Sequence, residues 1–219
     1  MNLKTWLLDL LFPPKCPFCG KLLSGKGERI CMQCRSVLPR TREGDSVKVD
    51  YMTKAVAPFY YEKLVRESFL RYKFYGASSY SAVYAEFLAE TVSRELAEGY
   101  DLITWVPLSR KRLRQRGYDQ ARLLAEKTAA NLGKPVISTL KKTRNTKVQS
   151  TLTTKEERRG NISGSYAVMG QADIQGKRIL LVDDILTTGA TLSECARVLL
   201  LGGAASVCGA AFARKRSDS

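Results

Sequence analysis

Short apolar runs and helical apolar stripes alternate along most of this chain. Residues 179–182 form an unbroken run, Ile-Leu-Leu-Val, introduced by Gly176-Lys177-Arg178, which is the pattern of a buried strand. Leu192, Cys195, Ala196, Leu199 and Leu200 then recur at helical spacing and predict a helix over 192–201. The same reading gives strands at 55–61, 102–107, 135–140 and 166–169, and a last strand at 205–212. Helices are predicted at 62–72, with Leu64, Val65, Phe69 and Leu70 inward, and at 118–132, closed by Gly133. A longer helix at 81–96 carries Val83, Tyr84, Phe87, Leu88, Thr91 and Val92 on one face. Strand and helix alternate through the second half, which predicts an α/β domain: a parallel sheet with helices on both faces. Residues 141–160 are polar and without periodicity, and a loop of that length argues for a working lid.

Residues 1–12 carry Leu3, Trp6, Leu7, Leu10 and Leu11 at helical spacing, interrupted by Asp9 and stopped by Pro13-Pro14. The stretch is shorter than the ~20 apolar residues of a membrane span and lacks a small-residue cleavage site. It reads as an amphipathic helix packed on the main domain, with a partner-binding or membrane-surface helix as the alternative. With no longer apolar run in the chain, a cytoplasmic location is expected.

The chemistry concentrates where the 179–182 strand meets its helix. Asp183 and Asp184 end the predicted strand, and Thr187, Thr188, Gly189, Ala190 and Thr191 form a small turn before the helix. A strand–turn–helix unit presents backbone N–H groups and a positive helix end to the turn, which favours phosphate. Small residues let the backbone wrap an anion, and the hydroxyls add donors. The two carboxylates repel such a phosphate but suit the vicinal hydroxyls of a sugar attached to it. A nucleotide P-loop is a poor reading: the nearest approach, Gly20 to Gly25-Lys26, continues with Gly27 where Ser or Thr is required.

Cysteines mark a second feature. Cys16-Pro17-Phe18-Cys19 and Cys31-Met32-Gln33-Cys34 are two C-x2-C pairs separated by eleven residues. Two such knuckles complete a tetrahedral thiolate site, for which structural zinc is the favoured occupant. Iron in a rubredoxin-like site and a disulfide pair are the competing readings. Cys195 and Cys208 fall in predicted regular elements and are read as small apolar side chains. At 219 residues and 44% hydrophobic content, the chain can hold one medium domain and a small module. It divides into the 1–14 helix, the 15–38 cysteine module, a polar 39–53 linker and the 54–219 domain. The cysteine module is expected to fail locally, so that Cys16→Ser unfolds it without a specific effect at the sugar-phosphate site.

Charge and composition narrow the function. There is no histidine, which excludes Ser-His-Asp hydrolases and histidine-ligated metals. The formal charge is +15, and residues 107–160 carry 15 basic against 4 acidic residues, so most of the excess lies in that quarter. One cluster is Arg110, Lys111, Arg112, Arg114 and Arg116; the other is Lys141, Lys142, Arg144, Lys147, Lys155, Arg158 and Arg159. Such a field attracts a pyrophosphate, a nucleic acid, or both.

The 183–191 motif resembles the site for phosphoribosyl pyrophosphate (PRPP) in type I phosphoribosyltransferases. That resemblance assigns Asp183 and Asp184 to the ribose hydroxyls, and Thr187, Thr188, Gly189, Ala190 and Thr191 to the 5′-phosphate. The order of motifs extends it over nearly the whole chain. A leucine-rich start runs into Pro-Pro and the four cysteines, then Val106-Pro107-Leu108-Ser109 and Arg116-Gly117-Tyr118-Asp119-Gln120-Ala121. Gln149, Leu152, Arg158 and Asn161 follow, and the acid pair comes last. This resembles the ComF (ComFC/GntX-like) family, a zinc module fused to a type I phosphoribosyltransferase-like domain. Tyr118-Asp119 stands where members often have Phe-Asn, and the single cysteine module is shorter than the two-module version of some relatives.

The resemblance implies PRPP with Mg²⁺, and handling of single-stranded DNA in natural transformation beside a competence helicase. A loop from Ser109 and Arg110 to Arg116 is expected to hold pyrophosphate, with Arg116 as the principal cation. Lys147, Gln149 and Arg158 would close over the site from a flexible loop. Arg112, Arg114, Lys141, Lys142, Arg144 and Arg159 are expected to contact nucleic acid, with Tyr72, Phe74, Tyr75 and Tyr80 as candidate stacking aromatics. Two functions stay open: a DNA-binding protein with a PRPP site, or a phosphoribosyltransferase acting on an unidentified nucleobase-like or amine acceptor.

Overall fold

The computed structural model describes residues 13–23, 27–96, 99–144, 162–170 and 172–216. The 1–12 segment, Lys147, Gln149, Leu152, Lys155, Arg158, Arg159 and Asn161 lie outside the described residues. The regular elements are α1 (Met32–Val37), β1 (Ala55–Val56), β2 (Phe59–Tyr60), α2 (Lys63–Phe74), a 3-10 turn (Ser78–Tyr80) and α3 (Ser81–Glu95). They continue with β3 (Leu102–Trp105), α4 (Arg110–Arg116), α5 (Gln120–Leu132), β4 (Leu140–Lys142), β5 (Tyr166–Val168), β6 (Arg178–Leu186), α6 (Ala190–Leu201) and β7 (Ser206–Arg214).

A parallel sheet in the order β1-β7-β6-β3, with β2 also on β7, organises the chain. The unbroken apolar run of β6 is buried on both faces, as a central parallel strand must be. Leu180 and Val182 pack with Val65, Phe69, Tyr72, Tyr84, Leu88, Leu124 and Phe212 from α2, α3, α5 and β7. Ile179 and Leu181 pack in a second cluster with Leu192, Cys195 and Leu199 of α6 and Tyr166 of β5. The expected α/β architecture is therefore present, with helices on both faces. Among the described residues, no helix is long and apolar enough to cross a membrane.

Four local expectations change. The 55–61 strand is broken at Ala57-Pro58 into β1 and β2, because proline has no N–H for the ladder. The 135–140 strand reduces to a single bridge between Ile103 and Val136. The chain then swings out at Thr139, whose hydroxyl pairs with that of Thr104 at 2.8 Å, and β4 joins β5 in a separate antiparallel pair. The basic stretch after Ser109 is not a loop but α4, capped where the Ser109 Oγ accepts from the Arg112 N–H at 3.4 Å. The fourth change is the most consequential: β6 does not stop at Val182. Pairing with β7 carries it through Asp183↔Ala211 and Ile185↔Ala213 to Leu186, so the ladder overrides the low strand preference of aspartate.

The expectation that the cysteine module fails locally is overturned, because the module and the sheet share one core. Cys16, Phe18, Ile30, Cys34 and Leu38 are buried in the same cluster as Phe59, Tyr84 and Phe212. Phe18 lies between Phe59, Tyr84 and Phe87, with ring centroids 5.6, 5.9 and 6.2 Å away. The polar 39–53 stretch runs along the sheet, with Arg40↔Phe59 and Val47↔Ala55 bridges. Phe212 stacks on Tyr84 at 3.9 Å and on Phe69 at 5.7 Å, tying three elements together. Phe212→Ala is expected to cost about 3–5 kcal/mol in urea unfolding, and Phe18→Ala to lower the same single transition rather than a separate one. Two resolved transitions in Phe18→Ala would contradict the shared core.

Candidate functional site

Pairing between β3 and β6 ends at Trp105↔Val182, while β6 continues on β7. Beyond Val182 the pairing of the two strands ends, and their carboxyl ends are where parallel sheets usually form a ligand crevice. Asp183 and Asp184 stand at this end of β6. Their carboxylates accept from the Asp184 N–H at 2.7 Å and the Ile185 N–H at 2.6 Å. Lys73, near the end of α2, donates to Asp184 Oδ2 at 3.0 Å, and both side chains are largely covered.

The two acids differ in charge state. Burial, then the Asp184 charge, pushes the Asp183 carboxyl up to about 8. Burial works in the same direction on Asp184, but the Lys73 ammonium and the Arg116 guanidinium outweigh it and hold Asp184 below its ordinary value. The pair thus divides into an ionised Asp184 and an Asp183 poised to change its protonation near neutrality.

The turn after β6 is formed as its composition required. Gly189 has φ 76°, in the left-handed region, and precedes the first turn of α6. A Cβ at that position would meet Val49 Cγ2 at 3.1 Å, so the turn rests on the 39–53 segment. The Thr188 Oγ1 accepts from the Ala190 N–H at 3.5 Å, and Thr187 is exposed. With Thr191 in the first turn of α6, the five residues sit together where the helix dipole is positive.

A second wall comes from the segment after β3. Asp119 caps α5 by accepting from the Arg122 N–H at 3.1 Å, and its other oxygen accepts from the Leu108 N–H at 2.9 Å. One carboxylate therefore ties the start of α5 to the 106–109 segment; its burial raises its pKa. Arg116 donates to Gln120 Oε1 at 2.9 Å and lies 5.5 Å from the centre of the Phe74 ring. Burial, then the neighbouring Arg112 charge, lowers its pKa, against the opposing pull of Asp184. Ser109 is buried and its hydroxyl caps α4, whereas Arg110 and Arg114 are exposed.

The remaining sequence-marked cations separate. Lys141 faces solvent, but its neighbour Lys142 turns inward, as alternate positions on a strand must. Lys142 donates to the Tyr166 hydroxyl at 3.1 Å, and burial, then the Arg112 charge, lowers it to about 8. It therefore faces the acid-pair crevice rather than the exposed basic surface. Arg144 is anchored, donating to Ser165 Oγ at 3.0 Å and to the Ser163 carbonyl. Of the candidate stacking aromatics, Tyr72 is buried, Tyr80 is half-buried, and Phe74 and Tyr75 are 59% and 79% exposed.

Sequence reasoning missed Lys73. Its signal was available: Val65, Phe69 and Lys73 repeat every four residues, so a cation sits in phase with the inward stripe. Such a position calls for a buried anion.

The cysteines converge. The four Sγ atoms of Cys16, Cys19, Cys31 and Cys34 lie within 4.8 Å of one another, with Cys19 and Cys31 at 3.7 Å. Tetrahedral zinc with Zn–S of about 2.3 Å requires sulfurs roughly 3.8 Å apart, so the set fits a closed structural site. None of the four is in a disulfide. The Gly20 N–H donates to the Cys16 carbonyl at 2.8 Å, and the Cys34 N–H points at Cys31 Sγ at 3.5 Å, both turns of a thiolate knuckle.

Two family models match the chain: a phosphoribosyl transferase domain over residues 119–219 and a double zinc ribbon domain over residues 7–44. The fold and site thus define a zinc-ribbon protein with a type I phosphoribosyltransferase-like domain. The competence protein ComFC of Bacillus subtilis (strain 168) is 31% identical over 88% of this chain and 74% of its own length. The DNA utilization protein YhgH of Salmonella typhi is 30% identical over 88% of this chain and 80% of its own length. The chain belongs to the ComF family. Among solved structures, glutamine PRPP amidotransferase from B. subtilis superposes with a TM-score of 0.45 at 20% identity, over 66% of this chain and 30% of that one.

Anaerobically purified protein is expected to hold one equivalent of zinc by metal analysis, and well under one would exclude the closed site. The acid pair predicts a pH effect. Between the ordinary aspartate value near ~4 and about 8, folded Asp183 holds a proton that the unfolded chain has released. Stability therefore falls as pH rises through that window. Asp183→Asn is expected to remove this slope, its advantage over wild type growing from about pH 4 to 8 and levelling above; parallel profiles would refute the assignment.

Proposed function

We propose that the chain binds PRPP in the crevice beyond β6 and single-stranded DNA on the adjoining basic surface, as a competence-type DNA-handling protein. The observation that carries the reading is a carboxylate pair followed by a turn of small residues, with Lys73 bonded to Asp184 and the Arg116 and Lys142 charges close by. Asp183 and Asp184 accept the ribose hydroxyls. The N–H groups and hydroxyls of Thr187, Thr188, Gly189, Ala190 and Thr191 take the 5′-phosphate. Arg116 and Lys142 supply positive charge where pyrophosphate lies, and Arg110 and Ser109 border it. Mg²⁺ carried in with PRPP would neutralise part of the pyrophosphate charge. Lys147, Gln149 and Arg158 belong to the same reading as closing residues.

For DNA, support comes from the exposed side of α4, which buries none of its seven residues and presents Arg110, Lys111 and Arg114. Arg112, Lys141, Arg144 and Arg159 extend the cationic track in this reading. Phe74 and Tyr75 are large exposed aromatics directly after Lys73, so bases can stack beside the sugar site while phosphates follow the arginines. The names of the relatives, in competence and DNA utilization, support the same reading.

A second reading, an active phosphoribosyltransferase, is favoured by the Phe74 ring beside Arg116, a surface on which a base-like acceptor can stack over the anomeric carbon. Pyrophosphate departure then leaves positive charge on the sugar, next to the ionised Asp184, while Arg116 receives the leaving group.

Calorimetric titration with PRPP and Mg²⁺ tests the site. Asp183→Asn with Asp184→Asn is expected to weaken binding at least tenfold, and unchanged affinity would show that the site lies elsewhere. Single-stranded DNA affinity is expected to fall steeply with added salt. Phe74→Ala with Tyr75→Ala should reduce it about tenfold or more, from the ~1–3 kcal/mol that each stacked base contributes. Salt-insensitive binding, or none, removes the DNA half of the proposal. Pyrophosphate release from PRPP with a base or amine acceptor favours the transferase.

A further inference from the structure

The helix that arms the acid pair also grips the first cysteine knuckle. Ser68 donates its hydroxyl to the Pro17 carbonyl at 2.5 Å, and Arg71 Nη2 donates to the Pro17 and Phe18 carbonyls at 3.1 and 2.6 Å. Pro17 and Phe18 are the two residues between Cys16 and Cys19, so both carbonyls belong to the metal-binding turn itself. Ser68 is fully buried, and its hydroxyl also meets the Tyr84 hydroxyl at 2.5 Å. Lys73 projects from the same helix two residues beyond Arg71 and reaches Asp184 at 3.0 Å. Ser68, Arg71 and Lys73 thus lie within six consecutive residues of one helix, a rise of about 7.5 Å.

We propose that the zinc knuckle is a buttress for the sugar site: through Ser68 and Arg71 it fixes α2 so that Lys73 stays on Asp184, with Arg71 as the positioning residue. This deepens the PRPP reading and rests on it. The physical route is a single rigid element in contact with both sites. The knuckle offers carbonyls at a fixed spacing only while four thiolates close around the metal. A charge-assisted pair of hydrogen bonds from Arg71 holds the helix to those carbonyls. A shift of about 1 Å along α2 would stretch the Lys73–Asp184 contact beyond hydrogen-bonding distance, leaving a second buried carboxylate without its counter-ion. Phe18 adds a steric wedge between β2 and α3, which seats the knuckle against the sheet and the helix next to α2. Zinc chemistry is not involved in any step at the sugar.

The test uses the full chain. PRPP–Mg²⁺ and, separately, inorganic phosphate are titrated into wild type, Arg71→Met, Lys73→Met and the double variant, with zinc content measured on each. Arg71→Met is expected to keep one equivalent of zinc and its phosphate affinity, while its PRPP affinity drops about tenfold, in the range of ordinary coupling between sites. The double variant should bind PRPP no more weakly than Lys73→Met alone, because Arg71 acts through Lys73. Unchanged PRPP affinity in Arg71→Met overturns the buttress. So does additive loss in the double variant, or equal loss of phosphate and PRPP binding, which marks general loosening. Should Arg71→Met fail to fold, Ser68→Ala makes the same comparison. Failure of wild type to bind PRPP instead removes the underlying reading.

Discussion

The ion pair between Lys73 and Asp184 makes the rest of the site tolerable. Two adjacent carboxylates at the end of a buried strand repel each other and lose hydration, and neither cost is met by packing. A cation from a different helix, at 3.0 Å, keeps one of them charged, while the other rises to about 8 and avoids the second charge. Everything around the pair follows from bringing that cation in. Helix α2 must lie against β7 and β6, its inward stripe must run to its last turn, and something must hold it there.

That arrangement explains how the molecule distributes its charge. The net excess of base is not a uniform coat. Lys73, Lys142 and Arg116 turn inward and serve the acid-lined crevice, whereas Arg110, Lys111 and Arg114 stay in solvent on α4. Two populations of cation, one fixed and one hydrated, therefore border the same opening. The fixed ones respond little to salt, because screening acts weakly on partly buried pairs; the hydrated ones respond strongly. An anion that enters deeply and a polyanion that lies along the rim meet different fields on one surface.

Much of this was legible in the chain. The β6 run, the small turn at Gly189 and the α6 stripe were correctly placed because each rests on local rules: two-sided burial, a positive φ and helical periodicity. The C-x2-C pairs announced their cluster by spacing alone. Long-range pairing was less legible. Nothing local says that β7 would carry β6 past two aspartates, or that the chain at Thr139 would leave the main sheet for β5. The α4 helix was hidden because Leu113 is its one apolar residue, leaving no apolar stripe to read. The cysteine module looked separate because its sequence is separate; Phe18, among rings contributed by β2 and α3, belongs to a contact that only the folded chain reveals.

Gly189 carries a consequence for how this turn can change over time. Its backbone lies where side chains are disfavoured, and Val49 stands 3.1 Å from the place a methyl group would occupy. These barriers are independent. Trimming Val49 would clear the space but leave the dihedral strain, and a residue tolerant of the dihedral would still strike Val49. Replacing this glycine therefore asks for two adjustments at once, a residue that accepts the left-handed backbone and a Val49 that yields by a few tenths of an ångström.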